Sequence, residues 1–177
     1  MSWGSAAFIS GFGAWLASGS SPSDDASAKE LAKFYGLAAK TVNPSSFSAV
    51  PIATKPDQII AAGFIASFKL ARLMTSGVPS SAIWLPAATA IVTYWTAVPF
   101  TPMPPAPGGL VGTVNVTTFP GLPTPLNIQI GSAFTQEDPF SVASDLSDAF
   151  LNHLSMVTGL WTGTAPAAPS PIPYVTP

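Results

Sequence analysis

Residues 138–159, DPFSVASDLSDAFLNHLSMVTG, decide the fold class. Asp138 and Pro139 form a helix start, because proline fits the first turn, where its missing N–H has no partner to lose, and an acid is favoured beside the positive end of the helix dipole. Behind them Val142, Leu146, Ala149, Phe150, His153, Leu154 and Val157 recur at helical spacing and make one long apolar stripe. The pattern predicts a helix running to Thr158 and stopped by Gly159. Such a stripe has to be covered by other helices, so the expected fold is mainly α.

Working outward, the same punctuation recurs. Ser23 before Asp24 and Asp25 starts a helix that runs to about Lys40, with Ala28, Leu31, Tyr35 and Ala38 on one face and Lys29, Glu30 and Lys33 on a solvated one. Thr54-Lys55-Pro56-Asp57 starts another, ending near Ser76 before Gly77 and Pro79. Ser80 or Ser81 caps the apolar segment Ala82–Val98, in which Pro86 either sets the start near Leu85 or kinks the helix there, and Pro99 closes it.

Residues 41–53 are Pro/Ser-rich and read as extended, and 99–126 read as a proline-rich loop within which Leu110–Phe119 forms a short strand or an extended arm. The first 20 residues place Phe8, Phe12, Trp15 and Leu16 on one helical stripe, weakened by Gly4, Gly11 and Gly13, and read as an arm or helix that orders against a partner or the core. From Thr162 the run TGTAPAAPSPIPYVTP excludes helix and central strand and predicts an extended arm with polyproline II bias. The residues expected at an interface are Trp3, Phe8, Phe12 and Trp15 in the first arm and Ile172, Tyr174 and Val175 in the last.

Two segments look like copies of each other. Thr41-Val42-Asn43-Pro44-Ser45-Ser46-Phe47-Ser48-Ala49-Val50-Pro51 aligns with Thr113-Val114-Asn115-Val116-Thr117-Thr118-Phe119-Pro120-Gly121-Leu122-Pro123. Each follows a helix with a tyrosine, Tyr35 or Tyr94, and Phe68, Met74 and Gly77 have the same spacing as Phe150, Met156 and Gly159. The expectation is a pseudo-duplicated helix–extended–helix core, with repeats at 24–79 and 80–161 packed about a pseudo-twofold.

The chain has 177 residues, enough for one domain with a sizeable core, here 21–161 between the two arms. Only 8% of residues are charged, against about 25% in an average soluble domain. The six basic residues, Lys29, Lys33, Lys40, Lys55, Lys69 and Arg72, all precede an uncharged stretch from 73 to 136, and Glu137, Asp138, Asp145 and Asp148 follow it. With a net charge of −2 there is no dense basic surface for nucleic acid. The separation of signs suits head-to-tail stacking of identical subunits. Without cysteine, disulfide and thiolate chemistry are excluded.

Catalysis needs converging titratable groups. His153 is the single histidine and lies five residues past Asp148, about 140° further round the axis, so it does not share a face with Asp145 and Asp148. No Gly-x-Ser-x-Gly elbow is present, Gly108-Gly109-Leu110-Val111-Gly112 lacks the Lys-Ser/Thr of a phosphate loop, and the acidic pairs look like helix starts. No catalytic, cofactor or metal site is expected. A second reading is a membrane-associated protein using the segment 82–98, short for a span and broken by Pro86.

The run Gly112-Thr113-Val114, then Pro125-Leu126, Ala133-Phe134, the helix with Ala149-Phe150 and His153, and Val157-Thr158-Gly159 before a Pro-rich end resembles small virion structural proteins of tailed bacteriophages, those of necks, tails and baseplates. The resemblance implies a subunit without a catalytic site, held in a symmetric virion assembly by contacts with copies of itself and with other structural proteins.

Overall fold

The helix starts read from the sequence are where the chain turns into helix. In the computed structural model, residues 3–19, 23–42, 49–51, 56–73, 80–97, 100–102, 111–118, 124–156, 158–164 and 172–175 are described, with the strands defined by backbone pairing. The helices are α1 (Ser5–Ala17), α2 (Asp24–Ala39), α3 (Pro56–Leu73), α4 (Ser80–Ile83), α5 (Leu85–Ala97), α6 (Thr124–Ala133) and α7 (Pro139–Ser155). Ser23 caps α2 by accepting from the Ala26 N–H at 3.2 Å, and Asp138 caps α7 by accepting from the Ser141 N–H at 2.7 Å. Each side chain satisfies one of the donors that a helix leaves open at its first turn. The protein is mainly helical, as expected.

Pro86 acts through a break. Helix α4 ends at Ile83, Trp84 is in a turn, and α5 begins at Leu85. The first turn of α5 is capped from a distance, because the buried Ser67 hydroxyl on α3 accepts from the Ala87 N–H at 3.1 Å.

The helices close a ring in which each packs on two neighbours in the order α1, α2, α3, α5, α6, α7 and back to α1. Inside it Tyr35 of α2 meets Phe150 of α7 at 4.9 Å between ring centroids, Trp3 at 5.1 Å and Tyr94 of α5 at 5.9 Å. The Trp95 indole N–H donates to the Tyr35 hydroxyl at 2.7 Å. A second aromatic group, Phe68, Trp84 and Phe134, ties α3 to the α4–α5 break and to the end of α6, with Trp84 and Phe134 stacked at 4.4 Å.

This ring revises the expected duplication. Tyr35 and Tyr94 do meet, but α3 packs against α2 and α5 while α7 packs against α6 and α1, so the paired stripes do not face each other. The aligned segments also differ, since Thr41 and Val42 finish the end of α2 whereas Thr113–Thr118 is strand. The repetition that the contacts do show is of three helices: α1–α2–α3 and α5–α6–α7 have the same neighbour order, with α3 on α5 matched by α7 on α1. Close approach is built in at both junctions. A Cβ on Gly13 of α1 would lie 2.6 Å from the Phe140 ring of α7, and one on Gly63 of α3 would lie 2.8 Å from the Pro86 carbonyl oxygen and against the Ala90 methyl of α5.

The sheet is the largest departure. β1 (Ala49–Pro51), β2 (Phe100–Pro102), β3 (Val111–Thr118), β4 (Thr158–Thr164) and β5 (Ile172–Val175) form an antiparallel meander in that order, with β3 next to α5. The segment read as strand or arm is β3, paired with β2 and β4. Helix α7 stops at Ser155 rather than Thr158, and Thr158 and Gly159 open β4, paired with Thr118 and Val116 on one side and Val175 and Tyr174 on the other. Thr162–Thr164 therefore lie in an interior strand, contrary to the expectation for the tail. Its prolines begin at Pro166, so nothing before that point removes a ladder donor, and Pro173 falls in the outermost strand, where proline is tolerated. Helix α6 begins within residues expected as loop. The cap at Thr54 and the stop at Gly77 lie outside the described residues.

Gly63→Ala will test the α3–α5 junction. Alanine favours helix by about 1 kcal/mol over glycine, but here overpacking against backbone costs about 1–3 kcal/mol. Urea denaturation is expected to show a net loss of stability, the reverse of the effect of glycine-to-alanine at an open helical position.

Candidate assembly surfaces

The residues expected to meet a partner divide into two groups. Trp3, Phe8 and Phe12 are buried in the chain's own core, so the first arm is a correction: it is a helix of the domain and offers these side chains to no neighbour. Phe8 touches Phe150 edge-on at 5.5 Å, and the Trp3 indole N–H donates to Ser147 Oγ of α7 at 3.0 Å. Half-buried Trp15 stacks on Phe12 at 5.7 Å. The apolar stripe was legible, but whether it met a partner or the core turned on α7, more than 100 residues away. Ile172, Tyr174 and Val175 are in β5, opposite Trp161, Gly159 and Thr158 of β4, and so belong to the outer strand of the sheet.

The titratable groups are dispersed. Among the described residues no three His, Asp or Glu side chains gather as a metal site. His153 is buried on α7, and burial, which penalises the charged imidazolium, lowers its pKa from 6.5 to about 4. Burial likewise raises the Tyr35 phenol well above its ordinary value, opposed by the hydrogen bond from Trp95. Asp145 accepts from the Gln136 side chain at 2.7 Å, and Asp148 is exposed. The segment 82–98 does not form one span: the α4–α5 break interrupts it, and Ala87, Ala88, Ile91, Tyr94 and Trp95 are buried in the core. Among the described residues no helix is long and apolar enough to cross a membrane.

Surface concavities lie between neighbouring helices. One of about 700 Å³, between α3 and α5, is an apolar groove floored by Ala62, Gly63 and Ala90 with Leu85 and Pro86 at its wall. It continues past Gln58 into a groove of about 510 Å³ between α2 and α3, flanked by Lys29, Glu30 and Lys33. Across the ring, Asp145 and Asp148 of α7 and Gln129 and Ser132 of α6 line a polar groove of about 200 Å³. Large apolar side chains also stay exposed on the helices, Leu73 at 78%, Ile128 at 54% and Leu37 at 49%. None of the grooves brings a base, a nucleophile and an anion-stabilising group together.

No protein-family model, curated protein or solved structure matches the chain.

Two tests follow from these placements. Trp3→Ala is expected to cost about 3–5 kcal/mol, the range for deleting a large buried aromatic, in denaturant unfolding of the isolated protein; a neutral effect would detach Trp3 from the core. For His153, the unfolded chain takes up a proton as pH falls below about 6.5 while the folded chain holds the ring neutral to about 4. Its contribution to stability is therefore complete above pH 6.5 and is lost on going down through pH 4, about 3 kcal/mol in all. Urea midpoints measured from pH 7 to pH 4 are expected to decline, and His153→Gln to remove that part of the slope.

Proposed function

We propose that this chain is a structural, non-catalytic subunit of a large symmetric assembly, and that the assembly is the virion of a tailed bacteriophage. The observation that carries the assembly reading is the five-stranded meander. Its outer strands, β1 and β5, each pair with one neighbour and with no further strand among the described residues, which leaves one edge of each turned away from the sheet. Such an edge is a template for a strand from another chain, which free monomers blunt with charge, proline or short strand length. Here both outer strands, Ala49–Pro51 and Ile172–Val175, are without any charged residue, and their protection is limited to short length and one proline each, Pro51 and Pro173.

Composition supports the same reading. A chain with 8% charged residues keeps few groups that hold copies apart in solution, and the exposed Leu73, Ile128 and Leu37 add apolar surface that contact with a neighbour would cover. The phage assignment rests on the resemblance in pattern of roughly residues 85–177 to virion proteins.

Light scattering behind a sizing column, in salt without detergent, tests the assembly reading. A discrete multimer is expected. A chain that runs at 18.1 kDa under all conditions would overturn it.

A further inference from the structure

The charges of this chain compensate one another on only one side of the ring. On the α2–α3 side Arg72 pairs with Asp24 at 2.7 Å, Lys69 lies 4.0 Å from Asp25, and Lys33 binds Glu30 at 3.0 Å. Lys29 and Lys40, both exposed on α2, form no ion pair among the described residues, which leaves this face positive. On the α6–α7 side Glu137, Asp138, Asp145 and Asp148 have no cation beside them among the described residues. In the order of the ring the two faces are separated by α1 in one direction and by α5 in the other, so they point away from each other.

Each helix pair also carries exposed aliphatic side chains, Leu37 and Leu73 on α2–α3 and Ile128 on α6. Leu37 follows Lys29 and Lys33 along the exposed stripe of α2, and Ile128 stands one turn before Ser132 on the α6 wall of the acidic groove. The basic face has a floor of Ala61, Ala62 and Ile65 between its lysines.

We infer that the α2–α3 face of one copy docks on the α6–α7 face of the next, with Lys29 and Lys33 against Asp148 and Asp145 and Ile128 seated over the apolar floor. This rests on the assembly reading above and names its contact. The occupant is a second copy of this chain because the two surfaces have complementary charge: among the described residues the α6–α7 acids have no cation within the subunit, and the α2–α3 face keeps Lys29 and Lys40 outside its ion pairs. Two different patches on opposite sides make a head-to-tail contact, which repeats from copy to copy and builds a closed ring or a filament rather than an isolated dimer.

Charge reversal tests it on the full chain. Asp145→Lys/Asp148→Lys makes both faces positive, and Lys29→Glu/Lys33→Glu makes both negative. Each variant alone is expected to need about a hundredfold higher concentration to associate, while an equimolar mixture of the two regains multimers by alternating. Circular dichroism checks that each is folded. The milder Asp148→Asn and Lys29→Gln serve if a reversal variant does not fold, with smaller losses of the same sign. Wild-type multimers are expected to dissociate as salt is raised from about 0.01 to about 1 M, over which screening shortens from about 30 Å to about 3 Å. If the wild type is multimeric but either reversal variant associates equally well, or the mixture fails to recover, this contact is wrong and the assembly reading survives. A wild type that stays a single chain at every salt concentration overturns both.

Discussion

Everything in this fold depends on what gathers around Tyr35. It lies where α1, α2, α5 and α7 approach, touching Trp3, Tyr94 and Phe150 and accepting from Trp95. Burial of aromatic surface is the main driving force open to a chain with so few charges, and edge-on ring contacts add directional preference to it. The polar atoms that enter the cluster find partners inside it: the Tyr35 oxygen accepts from the Trp95 indole N–H, and the Trp3 indole N–H donates to Ser147. The ring of helices closes because α1 and α7 both find their apolar partners at this point.

The helix starts were legible because they are local. Ser23 with two aspartates, Pro56 and Asp138-Pro139 each act within a single turn, and the structure begins α2, α3 and α7 at those residues. Pro86 announced its break for the same reason. Thr124-Pro125 carried a similar signal for α6, overlooked among the surrounding prolines. The end of α7 was misread because glycine serves both as helix stop and as strand residue, and sheet pairing with β3 and β5 decides between them. Strands of three residues, such as β1 and β2, have no period of their own and exist through partners distant in sequence.

The candidate surfaces were legible in a different way. The separation of lysines from the later acids is plain in the sequence, and folding keeps it by putting the two groups on opposite helix pairs. What could not be read was which apolar residues remain outside. Trp3, Phe8 and Phe12 are drawn into the core by α7, whereas Leu37 and Ile128 stay exposed on helices whose other faces are covered. Burial of that kind is settled by partners, and the partners come from the far end of the chain.

The pairing of α1 with α7 bears on when this protein can fold. A ribosome releases α1 first, and the helix carrying Phe8 and Phe12 then has α2 beside it but not the surface that covers it. Its main partner emerges only after α6, and β4, which joins the two parts of the sheet, later still. The β5 edge thus comes into being after the last helix of the core, whereas β1, β2 and β3 have all emerged before α6. Synthesis itself therefore separates the two edges in time, bringing out β1 before α7 and β5 after it, so that only the second is withheld until the chain can close on itself.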